Sequence, residues 1–230
     1  MSRFYRLLIV LLFCGTFVSY SQQRIYPDYN SSSGFELDSL DAYDPLVLDN
    51  LETLARVWGF VKYHHPAMAD TTIHIDYELF GLLPRVVHAG KAERNRILSE
   101  WINELGAFEV DTTFQQELSA IDHILINDFS WVEDTVRLGS KLSQTLSDLR
   151  YAISKSNKYV WNEGVTIKLY DDPFPNYDYN HLYDAGYRLL ILFRLWNAID
   201  SYCPNRNITD TSWDLSLIHI SEPTRQEAIS

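Results

Sequence analysis

The sequence predicts a mainly α-helical domain with one small β element and no α/β catalytic domain. Two observations predict this fold: apolar residues recur at helical spacing in several long segments, and only one short stretch alternates as a β-strand does. No glycine-rich phosphate-binding loop is present. With 46% hydrophobic residues and 6 Trp, 15 Tyr and 11 Phe, the chain is able to bury a substantial core.

The first predicted helix begins at Asp49 and ends before Pro66. Glu52 follows Asp49 by three residues, which is a capping-box pattern at a helix start, and proline ends a helix because it has no N–H to donate. One face of this helix carries an apolar stripe of Leu51, Leu54, Ala55, Trp58 and Val61.

Two further helices are predicted from 77 to 88 and from 92 to 105. Pro84 is expected to kink or split the first of them, and Gly106 is expected to end the second. The second has an apolar side of Ile97, Leu98, Trp101, Ile102 and Leu105. Residues 114–121 are predicted to form one short helix.

The second half of the chain is predicted to contain a long helix, a β element and a final helix. The long helix covers 131–154, residues 165–169 alternate as a strand or hairpin arm, and the final helix covers 185–202. An acidic, aromatic loop at 170–183 lies between the strand and the final helix. The stripe expected on the long helix is Val132, Val136, Leu142, Leu146, Leu149 and Ile153.

A pattern L-x-R-x-W followed by a closing proline occurs twice, at an offset of 138 residues. The first copy contains Arg56 and Trp58 and closes at Pro66, and the second contains Arg194 and Trp196 and closes at Pro204. This spacing predicts a duplicated helical unit, or two helices that pack alike.

Both ends of the chain are predicted to lie outside this domain. Residues 1–21 have the basic start, apolar run and small residues of a signal peptide, with cleavage after Ser21. Residues 22–47 read as an extended lead-in, and 48–214 as the helical domain. The string LSLIHISEPTR from Leu215 resembles a translated sequencing-library adapter, so we interpret 215–230 as an artefact.

Charge and cysteine content restrict the function classes. The net charge of −12 argues against nonspecific nucleic-acid binding and against binding to anionic membranes. Signal cleavage would leave Cys203 as the one cysteine, so no internal disulfide is expected. We expect Cys203 to be a buried apolar thiol rather than a nucleophile.

The adjacent His64 and His65 are candidates for a metal site or a catalytic base. Neighbouring helix residues point about 100° apart, and no HExxH or CxxC motif accompanies the pair, so a structural helix end is favoured. His65 continues the apolar stripe, and His64 lies to its flank. His74, Asp76 and Glu78 match no ligand spacing and are interpreted as a solvated loop leading into a helix.

Other candidate sites are weaker still. The loop at 170–183 contains Asp171 and Asp172, but it lacks the spacing and glycine of an EF-hand. Residues 154–158 place serines near lysines in an exposed polar linker, which cannot desolvate a lysine base. The sequence therefore predicts no catalytic, cofactor-binding or metal-binding residue.

Several segments resemble the N-terminal region of exported bacterial peptidases of the C-terminal-processing (tail-specific) serine peptidase family. They are LARVWGFVKYHHP, DYELFGLLPRVV, ERNRILSEWINELG, FSWVEDTVRLG and DAGYRLLILFRLWNAIDSYCPNRNITDTSW, within residues 48–214. In that family catalysis resides in a later α/β domain, often after a PDZ-like module that grips substrate C-termini, and it uses a serine with a lysine or histidine-containing partner. None of those motifs matches this chain.

The resemblance implies a truncated N-terminal fragment of a serine-type peptidase, inactive by itself. The intact protein would act on peptide or protein substrates. It would be exported in a Gram-negative bacterium to the periplasm, the outer membrane or the medium, without a membrane span after signal cleavage. Two alternatives stay open: a noncatalytic exported binding module that uses the aromatic loop 170–183, and a metal hydrolase that uses His64, His65 and His74.

Overall fold

The structure is a computed structural model that is mostly helical, with one small antiparallel sheet. It describes residues 24–38, 41, 44–111, 113, 129–163, 166–173, 181 and 183–203. The predicted signal peptide, the predicted short helix at 114–121 and the tail at 215–230 lie outside these residues. The predicted fold class is confirmed.

The described residues form five α-helices and one β-hairpin. The hairpin pairs Val160 with Leu169 at its open end and Glu163 with Thr166 next to its turn. Short 3-10 turns at Pro66–Ala69 and Ser130–Glu133 precede α2 and α4. In chain order the elements are α1 (Pro45–His64), α2 (Ile75–Val86), α3 (Lys91–Glu104), α4 (Thr135–Leu149), β1 (Val160–Glu163), β2 (Thr166–Leu169) and α5 (Ala185–Tyr202).

Helix α1 is the centre of the fold and contacts the other four helices. The predicted stripe from Leu51 to Val61 is buried, as expected. The predicted start at Asp49 is wrong by one turn. Asp44 caps the helix by accepting a hydrogen bond from the Leu46 N–H at 2.8 Å, and Pro45 occupies the first turn, where a missing N–H costs nothing.

The predicted α2 and α3 are confirmed to within two residues, and the predicted final helix has the same bounds as α5. Pro84 does not split α2, which continues to Val86. The five apolar residues predicted for α3 are all buried.

The predicted long helix at 131–154 is wrong in the middle and at both ends. A 3-10 turn precedes α4, and Gly139 adopts φ 69° and ψ 160°, which no helical residue has. The Arg137 carbonyl just before this break accepts hydrogen bonds from Arg94 Nη2 and Asn95 Nδ2 of α3. Val136, which the predicted stripe places in the core, is 81% exposed.

The repeated helices α1 and α5 pack directly against each other. Gly59 faces the side chain of Asn197, which stands at the equivalent position of the second copy. The Trp58 and Phe193 rings lie 6.4 Å apart, and those of Tyr63 and Tyr202 lie 5.2 Å apart. Every one of these pairs is separated in sequence by nearly the repeat offset, so α1 and α5 run parallel to each other.

Residues 24–38, here called the N-terminal segment, have no helix or strand but are bound to the helices at several points. Tyr29 O accepts a hydrogen bond from Tyr187 Oη at 2.7 Å, and Phe35 is buried. Ser33 bonds to Asp184, the N-cap of α5. The predicted lead-in is therefore packed against the domain, and the helix starts two residues before the predicted end of the lead-in.

Candidate functional site

The histidine pair at the end of α1 packs as two separate aromatic side chains. His65 is 1% exposed, and its Nδ1 accepts from the Ala67 N–H at 3.1 Å, which caps the following 3-10 turn. The His64 ring stacks on Phe60 at 4.2 Å between centroids. Burial lowers the pKa of both imidazoles to about 4, so both are neutral at pH 7. This geometry favours a structural role for both histidines over a metal site or a catalytic base.

The most distinctive polar site lies where α1, α2, the hairpin and α5 meet. It brings the His74 and Asp76 region together with the Asp171–Asp172 pair, about a hundred residues away in sequence. We call it the ion cluster. Its members are Lys62, His74, Asp76, Lys158, Tyr159, Asp171, Asp172 and Arg194.

Asp76 and Arg194 form the most deeply buried pair of the ion cluster. Asp76 is 2% exposed and accepts from both Nε and Nη2 of Arg194. Burial raises the pKa of Asp76 to about 6, although the charges of Arg194 and Lys62 oppose this shift. A carboxylate that is buried to this extent stays ionised only when a cation is paired with it.

Asp172 joins the hairpin and its following loop to the start of α2. Its Oδ2 accepts from Tyr159 Oη at 2.6 Å and from the Ile75 N–H at 3.2 Å. Its Oδ1 lies 3.2 Å from Lys158 Nζ, and His74 Nδ1 lies 3.5 Å from Oδ2. Burial raises the pKa of Tyr159, with the negative charge of Asp172 as the next cause, so the phenol stays protonated and donates.

Lys62 holds the same loop against α1. Its side chain is fully buried and pairs with Asp171. Its Nζ lies 4.9 Å from the Tyr159 ring centroid and 5.4 Å from that of Trp58, and both aromatic faces favour a cation. Arg194 adds a hydrogen bond to the Asp172 carbonyl at 2.9 Å. The loop is thereby attached to two helices.

The ion cluster contains the three potential metal ligands His74, Asp76 and Asp172, whose ligand atoms lie within 4.8 Å of one another. The carboxylates, however, already have cationic partners: Arg194 on Asp76 and Lys158 on Asp172. A divalent ion would have to compete with these fixed charges. The arrangement therefore favours internal ion pairing. Neither His64 nor His65 belongs to such a group of ligands among the described residues.

The expectation of a solvated loop at His74, Asp76 and Glu78 is wrong. Besides buried Asp76, the Glu78 side chain is only 9% exposed and acts as an acceptor for three donors. Its Oε1 accepts from Arg24 and from Tyr26 Oη at 2.6 Å, and its Oε2 accepts from Trp101 Nε1 at 2.9 Å. Glu78 thereby binds the N-terminal segment to α2 and α3.

Sequence reasoning missed the ion cluster because its halves are distant in the chain. Asp76 and the Asp171–Asp172 pair were both noted in the sequence, but no local spacing predicts that Asp76 and Asp172 lie together. The signal that was available is the cation on each apolar helix: Lys62 and Arg194 lie within otherwise hydrophobic runs, and buried cations need buried anions.

The remaining predicted candidates are dispersed. Cys203 is half-buried rather than buried, and its N–H donates to the Ile199 carbonyl at the end of α5. In the linker at 154–158, Ser154, Lys155 and Ser156 are exposed as expected, whereas Lys158 belongs to the ion cluster.

Part of the aromatic loop at 170–183 lies outside the described residues, namely 174–180 and 182. At its ends Tyr170 is 48% exposed and Tyr183 is 80% exposed. Tyr183 borders a groove of about 420 Å³ between the N-terminal segment and the start of α5.

Within the described part of the chain, no helix has the length and apolar character needed to cross a membrane. No protein family, no curated protein and no solved structure matches the chain.

Proposed function

We propose that this chain is the helical N-terminal part of an exported serine-type peptidase and carries no catalytic group of its own. The support is the resemblance over residues 48–214 together with the chemistry of the ion cluster. Because Asp76, Asp171 and Asp172 are each paired with a lysine or an arginine, the cluster fastens the hairpin loop to the helices rather than presenting a reactive group.

In the intact protein this domain would pack beside the peptidase domain or help to admit a peptide chain. The reaction would be attack of a serine hydroxyl on the peptide carbonyl, followed by hydrolysis of the acyl-enzyme. An oxyanion hole would stabilise the tetrahedral intermediates. Those groups belong to a domain that follows this one.

The reading frame of the gene downstream of the Asp214 codon tests this proposal. We expect it to continue into a serine-peptidase domain, and a native stop codon there would contradict the proposal. A second test is treatment of the purified chain with an active-site-directed fluorophosphonate. We expect no specific labelling of any serine, whereas stoichiometric labelling at one serine would show that the chain has its own active site.

The exposed Tyr170 and Tyr183 favour one alternative, a noncatalytic exported binding module. An exposed tyrosine supplies apolar area and a hydroxyl for docking a peptide or a glycan, and Tyr183 lies beside a groove. Titration of peptides and oligosaccharides against intrinsic tryptophan fluorescence tests it, with Tyr183→Ala as the variant. Saturable binding that this variant abolishes would favour the binding module, and absence of binding would remove it.

A further inference from the structure

The N-terminal segment and the first turn of α5 form a groove of about 420 Å³. This volume is within the range of roughly 300–1,000 Å³ that is typical of sites for small organic ligands. The side chains of Phe35 and Ala185, which are 6% and 8% exposed, supply apolar parts of its lining. The polar groups of the groove therefore determine which ligand it can bind.

Two polar side chains of the groove are already hydrogen-bonded to each other. Ser32 Oγ donates to Asp184 Oδ2 at 2.8 Å, and the same oxygen accepts from the Ser33 N–H at 2.9 Å. The other oxygen, Oδ1, accepts from the Tyr187 N–H at 3.0 Å and caps α5. Asp184 thus attaches the N-terminal segment to α5, and its carboxylate is satisfied without a ligand.

Two side chains of opposite charge line the same groove and have no partner in the described part of the chain. Glu36 lies on the N-terminal segment, three residues after Ser33. Arg188 lies on α5, and its N–H donates to the carbonyl of Asp184 one turn earlier. Both side chains are exposed, and neither makes a hydrogen bond or an ion pair with a described residue. The groove therefore offers one anion and one cation to a ligand.

The backbone around Glu36 is extended and has unused hydrogen-bonding groups. Phe35 is buried, Glu36 is exposed and Leu37 is half-buried, which is the alternation of a β-strand with one face on the core. No described strand pairs with this stretch, and the N–H and C=O groups of Glu36 and Leu37 make no hydrogen bond to described residues. An extended peptide satisfies such groups by lying beside them as an added strand.

We propose that this groove binds a short zwitterionic peptide, with its ammonium group on Glu36, its carboxylate on Arg188 and its main chain along Glu36 and Leu37. A guanidinium binds a carboxylate through two parallel hydrogen bonds, and a carboxylate accepts from an ammonium group. The unused backbone groups favour a peptide over a free amino acid, which has no amide group to pair with them. The inference rests on the groove alone, so it does not depend on the peptidase assignment, which the downstream reading frame tests separately.

Isothermal titration calorimetry of the full chain with trialanine tests the proposal. We expect saturable binding to the unmodified chain. Binding should be about tenfold to a hundredfold weaker for Arg188→Gln and for Glu36→Gln, since each substitution removes a charged hydrogen bond. Arg85→Gln and Glu133→Gln change exposed residues outside the groove and are the matched controls, so these variants should bind trialanine as the unmodified chain does.

Modified peptides assign each charge of the ligand to its partner. Trialanine amide has no carboxylate, so it should bind weakly to the unmodified chain, and Arg188→Gln should weaken it no further. N-acetyl-trialanine has no ammonium group and should show the same relation to Glu36→Gln. Free alanine keeps both charges without an amide group, and we expect it to bind more weakly than trialanine.

Any of four results would overturn the proposal. They are no saturable binding of trialanine at millimolar concentration, an effect of Arg188→Gln or Glu36→Gln no larger than that of its control, effects of amidation and Arg188→Gln that multiply, and binding of free alanine as tight as that of trialanine. Circular dichroism checks that each variant is folded. The modified peptides test both charges on the unmodified chain, so the proposal stays falsifiable even where a substitution disturbs the fold.

Discussion

The contact between Gly59 and Asn197 predicts that alanine in place of Gly59 destabilises the protein. The same substitution at Gly81, where a new Cβ has open space, should stabilise it. A Cβ on Gly59 would lie inside 3.0 Å of the Asn197 amide, closer than real Cβ atoms approach. Asn197 cannot move freely, because its Nδ2 donates to the Ala55 carbonyl at 3.0 Å and to the Phe193 carbonyl at 2.9 Å. Gly59→Ala should therefore separate α1 from α5.

The magnitude follows from three contributions. Alanine in place of glycine in a helix interior stabilises by about 1 kcal/mol. Overpacking a tight core costs about 1–3 kcal/mol, and displacing the Asn197 amide costs about 1 kcal/mol more. The expected net change for Gly59→Ala is a loss of about 1–3 kcal/mol. Gly81→Ala on α2, where a new Cβ meets no atom within 4 Å, should instead gain about 1 kcal/mol.

Urea unfolding followed by far-ultraviolet circular dichroism measures both variants against the unmodified chain. The double variant Gly59→Ala with Asn197→Ala removes the overlapping amide, so it should be more stable than Gly59→Ala alone. A Gly59→Ala protein as stable as Gly81→Ala would refute the close crossing of α1 and α5.

Three further predictions concern titration and anchoring. The free energy of unfolding should fall as the pH drops from about 6.5 to about 4. In this range His65 is protonated in the unfolded chain but stays neutral in the folded chain, where its pKa is about 4. This histidine contributes about 3 kcal/mol of the loss. His65→Asn should flatten the slope in urea titrations at several pH values, and an unchanged slope would contradict the burial of this imidazole. Asp76→Asn should make the loss of stability on acidification steeper. The pKa of Asp76 is raised to about 6 in the folded protein, so the folded chain binds a proton there between pH 6 and 4 and is stabilised relative to the unfolded chain. An unchanged slope would mean that Asp76 is not buried as a pair. Glu78→Gln should speed proteolytic cleavage of the N-terminal segment, and exposed Glu93→Gln is its control; equal rates for the two variants would show that Glu78 is not the anchor.

The helices were predictable where a continuous apolar stripe coincides with an ordinary helix end. For α3 the apolar side from Ile97 to Leu105 and the terminating Gly106 agree, and the predicted bounds are correct to within one residue. For α4 the stripe was misread, because Gly139 interrupts the phase and the residues on either side face different directions. One residue with a positive φ changes which side chains are buried, and hydrophobic spacing does not record it.

The sequence by itself determined the helical class, the hairpin, the repeated L-x-R-x-W pattern and the structural character of the His64–His65 pair. These follow from local spacing, since helix and strand periods are properties of neighbouring residues. Only the tertiary structure decided that Asp76 and Asp172 share one site with Lys62 and Arg194, and that Gly59 meets Asn197. Such pairings join residues far apart in the chain, and they are set by how α1 and α5 pack rather than by any local pattern.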